Sequence, residues 1–167
     1  MTQGRVVDVD LLKTYVDDHV TGATAVVNRV QRMARAYSDP DLSSTMSRFV
    51  KELTLEREWL LRLMRRHDLR PSPWKRAAAR VGERVGRLKL NGRLIRQSPL
   101  SPLLELELLA AGLRGKRSAW RTLREWSVEL AIDPDELDGL LTAVDNQIAD
   151  VERLLERVRP GALARED

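Results

Sequence analysis

The 167-residue chain has no cysteine, only two histidines and no apolar run long enough to cross a membrane. The absence of cysteine excludes disulfides, thiolate metal sites and cysteine nucleophiles. A membrane-spanning helix needs about 20 consecutive apolar residues. The N-terminus, MTQGRVVDVDLL, also lacks the charged start and long apolar centre of a signal peptide. These absences predict a cytoplasmic protein, and the length suits a single domain over residues 1–167.

Four long stretches carry apolar residues at alternating spacings of three and four, which is typical of amphipathic helices, and no stretch alternates like a strand. Asp39-Pro40 and Asp133-Pro134 are typical helix starts, because aspartate caps the first turn and proline fits its first position. We therefore predict long helices at about 8–36, 40–68, 102–130 and 134–159, with a frayed tail at 160–167.

A long connection separates the second and third predicted helices. A narrow apolar stripe within it predicts a short basic amphipathic helix at about 73–88, formed by Trp74, Ala78, Val81, Val85 and Leu88. One long and two short connections favour an all-α, ferritin-like four-helix bundle with a long crossover between the second and third helices. The alternative is an up-down bundle whose short helix packs across one end.

The connection is strongly basic, with nine lysines and arginines between positions 70 and 96 against Glu83 alone. Such a stretch is typical of the solvated face of an amphipathic helix, and it also suits binding to nucleic acid or anionic lipid. The predicted basic surface consists of Lys75, Arg76, Arg80, Arg84, Arg87, Lys89 and Arg93. The sequence contains neither a glycine-rich phosphate loop nor a serine with an obvious catalytic base. We therefore identify no catalytic residue.

Four segments distinguish the chain from ordinary helical sequence when they are taken together. They read YVDDHVTGATA at 15–25, ELTLEREWLLRLM at 52–64, GRLKLNGRLIRQSPLSPLLELELLAAGLRGKRSAW at 86–120 and DNQIADVERL at 145–154. On these segments the chain, from about 11 to 159, resembles bacterial ferritin-like proteins of uncharacterised function. The resemblance implies the helical bundle and implies no activity.

Metal-binding ferritin-like proteins carry Glu-x-x-His on two helices and one further carboxylate on each of the other two. Here the residues three before His19 and His67 are Val16 and Met64, and the fourth helix has no histidine. We therefore predict no metal cofactor. The alternative is a carboxylate-bound iron or manganese pair, whose ligands would be Asp18, Glu52, Glu56 and Glu105.

Glu56 interrupts the apolar stripe of the second helix, and Glu52 lies one turn earlier. Buried carboxylates are costly unless they are paired. Lys116 can supply the charge that a metal supplies in an active relative, and Gly112 and Gly115 beside it predict a close approach of neighbouring helices. We predict a buried polar cluster drawn from Asp18, His19, Glu52, Glu56, Glu105, Lys116 and Gln147. The alternative for His19 is an ordinary hydrogen-bonded core histidine.

Three functional hypotheses follow from these patterns. The first is a non-catalytic bundle that has lost its metal site and acts through self-association, as a homodimer, or through a protein partner. The second is an iron or manganese protein that works in oxidation or metal storage, and the missing Glu-x-x-His motifs argue against it. The third is a basic adaptor that binds a membrane surface or nucleic acid through 74–96, and a steep salt dependence of binding would identify it.

Overall fold

The computed structural model describes residues 5–70, 98 and 100–164. These residues form four α-helices and a short 3-10 helix, with no strand among them, so the predicted all-α class is confirmed. No helix in the described part is long and apolar enough to cross a membrane. The elements are α1 (Val9–Ala36), α2 (Pro40–Arg66), α3 (Leu100–Glu125), α4 (Pro134–Val158) and the 3-10 helix (Arg159–Gly161).

Three of the four helices begin at an aspartate cap. The side chain of Asp39 accepts a hydrogen bond from the Leu42 N–H at 2.9 Å, and Asp8 and Asp133 cap α1 and α4 in the same way. Helix α3 begins at Leu100, earlier than the predicted start near 102, because Ser98 Oγ accepts the Leu100 N–H at 3.3 Å. The first of the two Ser-Pro steps therefore starts this helix.

Two helices end earlier than predicted, and a left-handed residue explains the end of α2. Helix α2 ends at Arg66 and α3 at Glu125, instead of near 68 and 130. Asp68, two residues after α2, has a positive φ angle of 53°, which turns the chain out of the helix direction. Helix α3 is followed by a turn over 126–131, and Ala131 at the end of that turn has a φ angle of 49°. The chain then places Leu69 and Ile132 in the core.

The helices pack as two hairpins, α1 on α2 and α3 on α4. Near the end of α1, the Tyr37 hydroxyl donates to Glu105 Oε2 at 2.7 Å near the start of α3, so these two helices run antiparallel. Near the end of α2, Trp59 Nε1 donates to Glu136 Oε1 at 2.7 Å at the start of α4, so this pair is antiparallel too. Consequently α2 and α3 run parallel, and α2 ends at the opposite end of the bundle from the start of α3.

All four helices contribute to one apolar core. Its largest fully buried side chains include Trp120, Phe49, Met33, Met46 and Met64. Ala162 is also buried, at 4% exposure, so the predicted fraying does not begin at residue 160. The predicted connecting helix at 73–88 and the basic surface between 75 and 93 lie outside the described residues.

Candidate functional site

An ion pair between two parallel helices lies inside the bundle. The Lys116 ammonium on α3 contacts the Glu56 carboxylate on α2, and the two side chains are only 15% and 8% exposed. Glu56 lies on the inner face of α2, between the buried Leu53 and Leu60 about one turn to either side. A buried ion pair stabilises a fold only when further hydrogen bonds satisfy the charged groups.

Gln147 on α4 supplies those hydrogen bonds. Its amide Nε2 donates to Glu56 Oε1 and to Glu52 Oε2, both at 2.9 Å, and its amide oxygen accepts from Lys116. Carboxylates only accept and an ammonium only donates, so a single orientation of the amide satisfies all three neighbours. We call these four residues the interior network: Glu52, Glu56, Lys116 and Gln147.

The interior network extends to the surface through Arg48. This guanidinium lies 3.7 Å from Glu52 Oε1 and also binds Asp150 on α4. Arg153 binds the same Asp150 at 2.7 Å. These outer pairs are largely exposed, and exposed ion pairs contribute about 0–1 kcal/mol each, so they orient the network more than they stabilise it.

The chemistry of the interior network does not fit a metal ion. Burial lowers the pKa of the Lys116 ammonium, and the charge and hydrogen bond of Glu56 offset this shift only in part. The ammonium lies against the carboxylate that would ligate a cation, and the amide of Gln147 donates to both carboxylates. Within residues 5–70, 98 and 100–164, no group of three or more histidines, cysteines, aspartates or glutamates is arranged to hold a metal ion.

The structure places Glu105 outside the interior network, which corrects that part of the predicted cluster. Glu105 accepts from the Tyr37 hydroxyl at 2.7 Å and lies 3.7 Å from Arg29. Lys116 follows it by eleven residues on the same helix, which is about 16 Å along the helix axis. Periodicity placed both residues on one side of α3 but did not show that this distance separates them.

Asp18 and His19 are not among the four residues of the interior network, although His19 lines the same space as Glu56 and Lys116. Asp18 is exposed, and His19 is half-buried with its ring edge-on to Tyr15 at a centroid distance of 4.6 Å. The buried residues of α1 are Leu12, Val16, Asp17, Val27, Val30 and Met33.

His19 gives a prediction for the pH dependence of stability. Burial lowers its pKa below the ordinary 6.5, and the charge of Asp18 opposes this shift. The folded chain thus binds this proton less tightly than the unfolded chain, so the contribution to stability is present above pH 6.5 and is lost as the pH falls through the lower folded-state pKa.

We therefore expect His19→Phe to reduce the loss of unfolding free energy between about pH 7 and about pH 5, measured by urea titration. Phenylalanine keeps a flat ring beside Tyr15 and removes the titrating group. Equal losses for the two proteins would contradict the lowered pKa.

A cavity of about 140 Å³ lies beside the ion pair, between α1, α2 and α3, and we call it the central cavity. Its polar lining consists of Glu56, Lys116, His19, Arg57 and the indole of Trp120. Glycines form part of the wall. A Cβ atom at Gly112 would lie 3.3 Å from Val26, but Cβ atoms at Gly22 and Gly115 would meet nothing within 4 Å.

The glycines of this region therefore have two different roles. Gly112 allows the close helix approach that the sequence predicts, because a side chain there would press on α1. Gly115, for which the same role was predicted, borders open space instead. The cavity could not be predicted from the sequence. Its presence depends on how three helices pack together, and no periodic pattern in the sequence reports that packing.

A second concave surface lies between the start of α1 and the end of α3, with a volume of about 570 Å³. Arg5 borders it, with its guanidinium 4.3 Å from the Trp126 ring centroid and 3.1 Å from Glu129. We call this surface the apolar groove, and its lining includes Val6, Leu11, Leu12, Tyr15, Trp126 and Leu130. The sequence signals no such groove, because its two sides are more than one hundred positions apart.

In comparisons with protein-family models, with curated proteins and with solved structures, nothing matches this chain. The ferritin-like resemblance therefore rests on the sequence segments alone. Function is inferred from the interior network, the central cavity and the apolar groove.

Proposed function

We propose that this protein is a non-catalytic, ferritin-like helical bundle that has replaced its metal site with a lysine and acts through self-association. The observation that carries the proposal is the ion pair of Lys116 with Glu56, held by Gln147. Metal-binding bundles of this type bind their metal ions in the bundle core, through carboxylates and histidines that project inward from four helices. Here an ammonium ion balances the buried carboxylate, so the fold has no need of a metal cation.

The directions of the helices support the ferritin-like arrangement. Because α2 and α3 run parallel, the chain between them must connect opposite ends of the bundle. A single long crossover is typical of ferritin-like folds, whereas an up-down bundle has antiparallel neighbours at every step.

The apolar groove supports an association function. Val6 and Leu11 line it and are 87% and 69% exposed, and Val9 and Val128 nearby are also exposed. Clustered exposed apolar residues mark interaction surfaces in otherwise polar proteins. A groove of this kind is therefore the best interface that the described residues offer.

The charge around the apolar groove favours a second copy of the chain as its occupant. Asp8 and Asp18 line the groove, and Glu125 and Glu129 lie beside it, so in the described part of the chain four carboxylates outnumber the one guanidinium, Arg5, that pairs with both glutamates. The whole chain has a net charge of +4, and residues 70–96 carry nine lysines and arginines against a single acid. A second copy can therefore bring positive charge to this acidic rim, and dimers with two-fold symmetry are the commonest oligomers.

We predict that the protein is a homodimer and that Leu11→Glu makes it a monomer, as measured by sedimentation velocity. Leu11 is 69% exposed and contributes little to the core, so a charge there acts on the interface. Leu55→Glu on α2 is the matched control, because Leu55 is 68% exposed and lies outside the groove. This control should remain a dimer.

Two results would contradict self-association through the apolar groove. A wild-type chain that stays monomeric at every concentration would exclude the dimer. A dimer that survives Leu11→Glu would place the interface elsewhere. A monomer that binds anionic vesicles or nucleic acid with a steep salt dependence would favour the basic adaptor instead.

A further inference from the structure

The walls of the central cavity are mainly apolar. Leu53, Leu60 and Leu113 contribute from α2 and α3, and Ala23 and Val26 contribute from α1. The cavity volume is about 140 Å³. An apolar protein cavity of about 150 Å³ holds one benzene molecule. The central cavity therefore suits a molecule whose apolar body is about the size of a six-membered ring.

The same walls contain hydrogen-bond donors that lack acceptors. Trp120 lines the cavity and is fully buried, yet its indole N–H has no partner among the described residues. The Nε–H of Arg57 is also buried without a partner, although another nitrogen of this guanidinium binds Glu58 at 3.0 Å. Buried donors without acceptors are rare in folded proteins and call for an explanation.

The acceptors beside the cavity are already engaged. Glu56 Oε1 accepts from Gln147, and Glu56 Oε2 accepts from Lys116. The Lys116 ammonium has three protons and two acceptors in the described part of the chain, so one N–H is left over. The lining thus presents an excess of donors, and its complement is a hydrogen-bond acceptor.

The charges specify the kind of acceptor. Glu56 neutralises Lys116, so the guanidinium of Arg57 is the remaining positive charge in the lining. Its partner Glu58 is 40% exposed, and solvent weakens that pair. Guanidinium groups bind carboxylates by charge-assisted hydrogen bonds, which are shorter and stronger than neutral ones.

The cavity is open to solvent at its glycines. Gly22 and Gly115 are exposed and line the cavity, and a Cβ atom at either position would have open space around it to 4 Å. A small molecule can therefore enter between α1 and α3 without unfolding either helix.

We propose that the central cavity binds a small monocarboxylate with a compact apolar body. The carboxylate accepts hydrogen bonds from Arg57 and from the indole N–H of Trp120, and the apolar body lies among Leu53, Leu60 and Leu113. Such binding is separate from the self-association proposed for the apolar groove, which lies at the end of the bundle. Neither property depends on the other.

Benzoate is the probe for this site, and titration calorimetry measures its affinity. We expect saturable binding that shifts the Trp120 indole N–H resonance in nitrogen-15 spectra. Trp120→Phe keeps an aromatic ring and removes the N–H, so it should weaken benzoate binding about tenfold, as expected for a hydrogen bond to a charged group. Toluene, which has the same ring and no carboxylate, should bind more weakly than benzoate.

A pair of glycine variants provides the matched control. Gly115→Leu places a side chain at the cavity opening and should abolish benzoate binding. Gly139→Leu on α4 adds the same side chain at an exposed position that also has nothing within 4 Å, and it lies outside the cavity lining. This variant should bind benzoate like the wild type, and circular dichroism checks that both variants are folded.

Three results would contradict the binding of a monocarboxylate in the central cavity. The first is no saturable binding up to about 10 mM benzoate, a concentration that detects even millimolar affinity. The second is equal affinity for benzoate and toluene, which would show an apolar space without carboxylate recognition. The third is unchanged binding in folded Gly115→Leu, which would place the ligand elsewhere on the protein.

Discussion

Lys116→Met should lower the free energy of unfolding by about 3–5 kcal/mol, because it leaves the Glu56 carboxylate buried without its counter-ion. The methionine fills similar space, so the loss reports the charge and not a void. The amide oxygen of Gln147 also loses the hydrogen bond that Lys116 donates to it. Urea titration of the wild type and variant measures the difference. Domains of this kind are stable by about 5–15 kcal/mol, so the variant should be close to unfolding at elevated temperature.

A double-mutant cycle separates the ion pair from general damage to the core. Glu56→Gln alone leaves the Lys116 ammonium without its carboxylate, so it should also destabilise the fold. The combination Lys116→Met with Glu56→Gln removes both charges and should recover part of the two losses. Losses that simply add would show that the two side chains are not coupled and would contradict the contact between them.

The local features of the fold could be predicted from the sequence. Asp39-Pro40 and Asp133-Pro134 give the helix starts, since capping and the first helical turn depend only on neighbouring residues. Glu56 was recognisable as an inward-facing acid because it interrupts an otherwise apolar stripe. These signals are short in sequence and need no knowledge of which helices are neighbours.

The grouping of the polar residues could be predicted only in part. Lys116 and Glu56 lie at the same height because α2 and α3 run parallel, and helix direction is set by the connection between them. Glu105 shares the helix with Lys116 but lies at the C-terminal end of α1, against Tyr37, whereas Lys116 lies near the middle of α1. The helical period predicts on which side of its helix a residue lies. It does not predict which residues of a neighbouring helix lie at the same height.

The end of α2 was missed for a different reason. Glycine is the usual left-handed residue after a helix, and here Asp68 takes that conformation. The buried Leu69 that follows compensates for the strain by entering the core. Tertiary packing thus decided this boundary against the local preference.

The interior network and the central cavity are adjacent parts of one interior. Lys116 belongs to both, since it pairs with Glu56 and also lines the cavity. An ammonium ion at this place balances the buried acid and leaves open space beside it. If the ion pair has replaced a metal site, as we propose, that replacement also leaves part of the bundle interior free for a ligand.

The proposal that Lys116 replaces a metal is tested directly by Lys116→Glu. The substitution puts a third carboxylate beside Glu52 and Glu56, and like charges in a buried site repel strongly. We expect the variant to be unfolded, or destabilised by more than about 3–5 kcal/mol, in the presence of a chelator. Thermal unfolding followed by circular dichroism measures this effect.

Manganese should then restore the fold of Lys116→Glu. Three carboxylates and the amide oxygen of Gln147 form an oxygen-rich set of the kind that divalent manganese prefers. A cation at one hundred times its dissociation constant adds about 2.7 kcal/mol of stability, which raises the unfolding temperature measurably. Lys116→Gln is the control, since it adds no charge and should not respond to the metal. If manganese stabilises the wild type as strongly as Lys116→Glu, the lysine has not replaced a metal and the protein is a metal-binding bundle after all.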